Sequence, residues 1–375
     1  MKIDLSLIDR TQFHVDELVW NGEMVYLIQP QQMGCAWSQE NKIFRSSVWN
    51  SDGDLISASF PKFVNWGEKP EVFPVPNSLK NATIMEKLDG STLIVSKYKG
   101  NFMIRTRGTI DAARMEKNGF EIEYFKTEVL PILVEMDIQI NSTFQSKNDD
   151  TWVFSYIFEW TSPLNTIVIN YGDVPKFYLI GIIDNNNYSL CAQAFLDDIA
   201  KSVNLQRPAT YTFTDVIDLL ENIQLWEGKE GVCVYHHGDQ EIHKVKSAWY
   251  LMLHRMKSEL GSLDKVIDVW GAQNYPDYNT FYNYIGDTFD YELAETCRGH
   301  ISRIADGYKE VLKIVAYMKE FVEPLKRVPR KDAALKIISS YGNTNRSSFC
   351  FQLLDGKDLM VDREAIKKLL FQVLK

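Results

Sequence analysis

The sequence has none of the features of a membrane or secreted protein. No run approaches the roughly 20 apolar residues that span a membrane, and residues 1–17 lack the basic-then-apolar order of a signal peptide. The five cysteines are scattered and form no Cys-x-x-Cys pair, which argues against a disulfide framework and a structural zinc site. These absences predict a cytoplasmic protein with reduced thiols and no membrane contact.

Basic residues are fewer than acidic ones. Against 50 acidic residues there are 41 lysines and arginines, so the net charge is −9, the wrong sign for a protein that coats nucleic acid. Any contact with nucleic acid must therefore depend on local basic patches. The length of 375 residues suggests two domains, and 45% apolar with 24% charged residues is typical of a globular protein.

The hydrophobic pattern of the first 250 residues predicts mainly strands. Short β-rich or alternating runs are separated there by turn residues. The predicted strands are residues 45–49, 55–60, 91–98, 102–106, 152–159, 167–171, 176–184, 231–235 and 241–246. Helices are predicted at residues 111–119, 120–136 and 214–223.

After about Tyr250 the pattern changes to helical spacing of apolar residues. The predicted helices are residues 291–321, 332–341 and 363–374. The fold class is therefore α+β, with one domain over residues 1–254 and a mostly α-helical domain over residues 255–375.

The sharpest local signal is a lysine loop, Glu86-Lys87-Leu88-Asp89-Gly90, which precedes a predicted strand. A lysine acts as a covalent nucleophile only when neutral, so its pKa must fall through burial or neighbouring positive charge. Gly90 would allow close backbone approach, and Asp89 places an acid within reach. Because such a tetrapeptide also occurs in ordinary surface turns, it predicts function only together with other motifs.

Four further stretches place charged residues in or beside predicted strands. Arg105 and Arg107 would share one strand face by the period of two, and so would Lys244 and Lys246. A solvated strand face is the alternative interpretation of each pair. The remaining two stretches each centre on a glutamate: Glu159 at the end of an apolar strand, and Glu230 before Gly231 and Val232.

In this order the motifs resemble the covalent nucleotidyltransferases, the superfamily of ligases and capping enzymes. Within it the chain is most similar to the phage RNA ligase 1 family, over about residues 45–254. Flanking segments add to the resemblance: Phe44-Arg45, residues 61–65, Phe158-Glu159 followed by Asn165 and Ile167-Val168, and residues 246–250. The chain departs from the family at Ser46 (often glycine), Thr166 (often arginine), and Arg105 and Arg107 (expected lysines).

The resemblance implies an ATP-dependent RNA ligase with an ATP-grasp-like nucleotidyltransferase domain of antiparallel sheets. Lys87 would attack the α-phosphate of ATP and form lysyl-AMP. AMP would then pass to an RNA 5′-phosphate, which an RNA 3′-hydroxyl attacks. It further implies Mg²⁺, a helical domain that selects the RNA, a monomer, and repair of RNA such as cleaved tRNA in a phage-infected cell.

The resemblance also implies roles for the phosphate-binding side chains. Lys244 and Lys246 would act with Lys87 at the α-phosphate. The remaining cations would contact other nucleotide phosphates or the RNA end, and they are Arg45, Lys62, Arg105 and Arg107.

The same resemblance implies which other residues would bind the base, the sugar and the metal. Glu159 would bind the ribose hydroxyls, and Glu230 would help to bind the metal. Val232 would pack on adenine, and the backbone at Glu86 would read its exocyclic amine.

Two alternatives stay open. A DNA ligase or an mRNA-capping guanylyltransferase uses a similar lysine loop but normally continues into a small β-barrel, whereas helices are predicted here. A non-catalytic nucleotide-binding or virion-assembly protein is the second, and the complete set of charged core residues disfavours it.

Overall fold

The computed structural model describes residues 1–31, 35–112, 119–144, 150–238, 240–260, 262–288 and 291–374. Contacts divide the chain into two compact units, Met1–Met252 and Leu253–Lys375. The first contains the sheets and the second is helical, which confirms the α+β class. Among the described residues, no helix is long and apolar enough to cross a membrane.

The first sheet has four antiparallel strands in chain order. They are β1 (Phe13–Trp20), β2 (Glu23–Pro30), β3 (Ser47–Asn50) and β4 (Leu55–Ala58). Trp20 pairs with Glu23, and the two residues between them, Asn21 and Gly22, have φ of 49° and 82°. Positive φ at both central positions is typical of a type I′ hairpin, which suits the twist of the strands.

The second sheet has five strands in the order β11-β10-β9-β7-β8. They are β7 (Ser91–Tyr98), β8 (Asn101–Arg105), β9 (Phe154–Thr161), β10 (Lys176–Asp184) and β11 (Ser189–Leu190). All eight residues of β9 are buried, because both of its faces are covered. Tyr156 and Phe158 belong to a core with helical residues such as Leu133, and Ile157 belongs to another with Phe60.

The third sheet positions the candidate site. Its order is β12-β6-β13-β14-β5, with β5 (Val64–Asn65), β6 (Ala82–Lys87), β12 (Thr210–Tyr211), β13 (Gly231–His236) and β14 (Glu241–Lys246). The register pairs Gly231 with Lys87 on one side and with Lys246 on the other. The ends of β6, β13 and β14 that carry these residues therefore lie side by side at the same end of the sheet.

Helices complete both units. Within or beginning in the first are α1 (Gly119–Tyr124), a π-helical turn (Phe125–Val129), α2 (Leu130–Phe144), α3 (Gln193–Ser202), α4 (Val216–Gln224) and α5 (Ala248–Leu260). The second unit has α6 (Leu263–Ala272), α7 (Tyr278–Thr288), α8 (Tyr291–Val322), α9 (Arg330–Tyr341), α10 (Asn345–Leu354) and α11 (Arg363–Leu374). Ile301, Ile304 and Val311 on α8 pack with Leu369 and Leu370 of α11 in one core, as their helical spacing predicts.

Some predicted elements differ from the structure. Residues 167–171 are a loop and not a strand, because the N–H groups of Val168 and Ile169 donate to the Asp89 carboxylate instead of a ladder. Strand β8 ends at Arg105, so the predicted strand face shared with Arg107 is wrong. Of the predicted helix at 111–119, residues 113–118 lie outside the described residues.

Candidate active site

Lys87, the last residue of β6, borders a cavity of about 260 Å³ between the second and third sheets. One part of the wall is apolar or aromatic: Phe60, Phe63, Leu88, Ile180, Pro208, Cys233 and Tyr235. The other part is polar or charged: Arg45, Glu86, Lys87, Gly90, Thr92, Glu159, Lys244 and Lys246. The cavity therefore suits a ligand that has both a flat apolar ring and anionic groups.

Two lysines share the Glu230 carboxylate at the edge of this cavity. Lys87 Nζ and Lys246 Nζ each lie 2.8 Å from a different oxygen of Glu230, which is only 2% exposed. Burial alone would lower the pKa of Lys87, but the charges of Glu230 and Glu159 raise it well above its ordinary value. The protein alone favours the ammonium form of Lys87, the opposite of the expected depression of its pKa, so a cation that offsets the charges of Glu230 and Glu159 is needed before the amine loses its proton and reacts.

Glu159 is a second buried carboxylate, and it lines the cavity. Its oxygens accept hydrogen bonds from the Gly90 N–H at 3.1 Å and the Thr92 hydroxyl at 3.3 Å. Burial, helped by Glu230, raises the pKa of Glu159 to about 7 although Lys87 opposes the shift. A cation or hydrogen-bond donor from a ligand would stabilise its charged form.

Glu159→Gln is expected to stabilise the protein at pH 8 but not at pH 5. Folding raises the pKa of Glu159 from 4.5 to about 7, so within this window the folded protein keeps a proton that the unfolded chain releases. The free energy of unfolding therefore falls as pH rises from 4.5 to 7, by roughly 2–3 kcal/mol. Urea denaturation at both pH values measures the difference, with the exposed Glu221→Gln as control; an equal effect of Glu159→Gln at both pH values would contradict it.

The opposite wall of the cavity is cationic. The guanidinium of Arg45 lies 4.5 Å and Lys244 Nζ 5.2 Å from the centre of the Phe63 ring. Burial, together with the charges of Arg45, Lys246 and Lys87, lowers the pKa of Lys244 to about 8. Because cations are crowded here, an anion such as a phosphate would relieve their repulsion.

Asp89, to which no role was given from the sequence, anchors the lysine loop. Its carboxylate accepts from the Val168 N–H at 2.7 Å, the Ile169 N–H at 3.0 Å and the Tyr250 hydroxyl at 2.8 Å. Its own N–H donates to the Tyr171 hydroxyl. The acid two residues after Lys87 is visible in the sequence, but its hydrogen-bond partners lie 79 or more positions away and cannot be identified from it.

Gly90 and Gly231 fill positions where a side chain would collide with backbone. A Cβ on Gly90 would lie 2.3 Å from the carbonyl oxygen of Trp160, and one on Gly231 would lie 2.0 Å from that of Val245. Gly231 also has φ of 142°, a conformation that side chains disfavour. The close approach at Gly90 is to the backbone of Trp160, and a role of Gly90 in binding a nucleotide stays a prediction.

The expected packing of Val232 on a base is wrong. Val232 is fully buried with Leu219 and Ile223 of α4, whereas its neighbour Cys233 lines the cavity. Strict alternation from Glu230 would have put Val232 on the Glu230 side, but the unusual φ of Gly231 breaks the alternation. Cys233 therefore occupies the wall position that we predicted for Val232.

Three predicted phosphate ligands do not appear among the described residues that line the cavity. The Arg105 side chain is fully buried and donates to the hydroxyl and carbonyl oxygens of Ser46 and Ser57. Arg107 is exposed beyond the end of β8. Lys62 Nζ lies 5.4 Å from the centre of the Trp37 ring. The other predicted residues, Glu230 and Val232 apart, line the cavity wall.

Comparisons with known proteins agree with the resemblance. A family model described as RNA ligase matches residues 43–260. A putative bifunctional polynucleotide kinase/RNA ligase of Autographa californica nuclear polyhedrosis virus is 27% identical over 216 residues, 54% of this chain and 29% of that protein. An RNA ligase of Rhodothermus phage RM378 is 26% identical over 286 residues, 61% of this chain and 63% of that protein.

Solved structures show distant similarity. An archaeal ATP-dependent RNA ligase has a TM-score of 0.43 at 12% identity, over 76% of this chain and 72% of that one. A Naegleria gruberi RNA ligase with PPi has a TM-score of 0.36 at 12% identity, over 61% of this chain and 65% of that one. Because the family match covers more than half of the sequence, the chain belongs to the phage-type RNA ligase family, as predicted.

Proposed function

We propose that this protein is an ATP-dependent RNA ligase that carries AMP on Lys87 Nζ. The observation that supports it most strongly is the placement of Lys87 in a half-apolar, half-cationic cavity, with Lys246 sharing its carboxylate partner. The apolar part suits adenine, and Lys244 and Lys246 suit the α-phosphate. Glu159 binds the ribose hydroxyls, and the backbone at Glu86 binds the exocyclic amine of adenine.

In the first step Lys87 Nζ loses a proton and attacks the α-phosphorus of ATP, and the bond to pyrophosphate breaks. Lys244 and Lys246 stabilise the charge that spreads over the phosphate oxygens. In the second, an oxygen of the RNA 5′-phosphate attacks the same phosphorus, the P–N bond breaks and Lys87 regains a proton. In the third, an RNA 3′-hydroxyl attacks the adenylylated 5′-phosphate, and AMP leaves.

A buried carboxylate beside the cavity fits a divalent metal such as Mg²⁺. Glu230 is the candidate ligand, and the described residues contain no group of three or more metal-binding side chains. The ion would take its other ligands from phosphates and water, as Mg²⁺ commonly does. When bound, the ion supplies positive charge near the reacting phosphates, and it would weaken the attraction that raises the pKa of Lys87.

The wider assignments are part of the same proposal. Residues 1–254 form the adenylyltransferase domain, and residues 255–375 select an RNA with 5′-phosphate and 3′-hydroxyl ends, such as a cleaved tRNA. The protein acts as a monomer in RNA repair. The viral and phage sources of its relatives support the cytoplasm of an infected cell as its place of action.

Covalent labelling tests the proposal. The purified protein, stripped of bound AMP with pyrophosphate, is incubated with Mg²⁺ and α-labelled ATP or GTP and then denatured. We expect label from ATP to stay on the protein and to be discharged by RNA with a 5′-phosphate. Label from GTP alone would assign the protein to the capping enzymes, and no label from either would contradict the ligase proposal.

A further inference from the structure

A second cavity adjoins the same two lysines. It has a volume of about 390 Å³ and is lined by Asn65, Trp66, Leu220, Gln224, Lys244, Val245, Lys246 and Leu251. Of the residues that the structure describes, only Lys244 and Lys246 border both cavities. A phosphate held by these two lysines in the nucleotide cavity would therefore lie next to the second cavity.

Trp66 gives the second cavity an aromatic wall that is held in place. The backbone N–H of Trp66 donates to the Lys244 carbonyl at 2.8 Å, which fixes the backbone of Trp66 beside the strand that carries the lysines. The rings of His243 and His236 support it, with centroids 5.4 and 6.1 Å from the Trp66 ring. A half-buried indole of this kind suits stacking of a nucleobase, because every base has a π-face.

The other walls combine aliphatic and amide side chains. Leu220 and Leu251 supply apolar surface, and Leu251 is 47% exposed. The Asn65 amide is oriented by donating to Glu68 at 2.8 Å, and the Gln224 amide donates to the Lys246 carbonyl at 3.3 Å. Amides bind the edges of unpaired bases, whereas a strongly hydrated pyrophosphate would gain little from an indole and two leucines.

We infer that the second cavity binds the 5′-terminal nucleoside of the RNA strand that receives AMP. The inference rests on the proposed function, because the 5′-phosphate of that strand must lie beside Lys244 and Lys246 to attack lysyl-AMP. The nucleoside attached to this phosphate then enters the second cavity and stacks its base on Trp66. Trp66 is thus a determinant of RNA binding that contributes nothing to the binding of ATP.

Equilibrium binding separates this role from chemistry. The probe is a single-stranded hexaribonucleotide with a 5′-phosphate and a 3′-fluorophore, and its anisotropy is measured without ATP on protein stripped of AMP. Trp66→Leu removes the stacking ring, and Leu251→Trp fills the cavity from its exposed side. The matched control is Leu225→Trp, since Leu225 is 81% exposed and lies outside the cavity wall.

We expect the Kd for the hexamer to rise about 5- to 150-fold in Trp66→Leu and Leu251→Trp, the range for loss of one stacked base. The control should stay within about twofold, and labelling by ATP should be unchanged in all three. Unchanged RNA affinity in both cavity variants would overturn the inference, as would an equal loss of ATP labelling, which would place the damage at the shared lysines. Absence of ATP labelling in the unaltered protein, with RNA affinity still lost in the variants, would contradict the ligase proposal alone.

Discussion

Lys87→Ala is expected to lose ATP-dependent ligation by at least about 10³-fold, because Lys87 carries the AMP in the proposed mechanism. The same variant should still join an RNA that already carries AMP on its 5′-phosphate, since that substrate bypasses the lysine. Lys244, Glu159 and Glu230 remain in place for this last step. The measurement is gel separation of ligated products from 5′-phosphorylated and pre-adenylylated RNA.

A matched control for this prediction is Lys80→Ala, at an exposed lysine just before β6. It should retain both reactions within about twofold. Covalent AMP on the Lys87→Ala protein would show that another residue is the nucleophile. Equal loss with both RNAs would instead indicate that Lys87 holds the site together through Glu230.

Arg105→Ala is expected to lower the free energy of unfolding by about 4 kcal/mol. The change leaves a cavity in the core and removes the donors to Ser46 and Ser57, whose oxygens are buried. Arg105→Lys should be intermediate, because one ammonium group cannot replace the guanidinium fork between two serines. Urea denaturation of the three proteins measures the effect.

Arg107→Ala provides the comparison, since Arg107 is exposed two residues further along. Its free energy of unfolding should change by less than about 0.5 kcal/mol. A stable Arg105→Ala protein with weakened ATP binding would restore the phosphate role expected from the sequence. Burial lowers the pKa of Arg105 to about 9, so its hydrogen bonds must offset the unfavourable burial of its charge.

Local pattern was enough to predict much of the fold. The β7–β8 hairpin follows from two β-rich runs joined by Lys99-Gly100, which have φ of 47° and 81° and suit a type I′ turn. The helices of the second unit follow from apolar spacing. The order of the motifs in the sequence identified Lys87, Glu159, Lys244 and Lys246 as site residues. All four line one cavity in the structure, and their chemical roles stay predictions.

What the sequence could not reveal depends on distant contacts. Arg105 resembles a phosphate ligand until Ser46 and Ser57 are known to lie on either side of it. Residues 167–171 have strand composition, but Asp89 takes the N–H groups that a strand would need. The second cavity is lined by residues from β5, α4 and β14, among others, so no single sequence motif predicts it.

The register around Gly231 has a consequence for the lengths that this sheet tolerates. Lys87 and Lys246 face Glu230 because both pair with the first residue of β13. Inserting one residue between Val232 and Cys233 would turn every following side chain to the opposite face and shift Cys233 and Tyr235 out of the cavity wall. Apolar residues against α4 can change type with modest effect, whereas the number of residues in this strand cannot change. Natural or engineered relatives of this chain should therefore differ here by substitution and not by insertion or deletion.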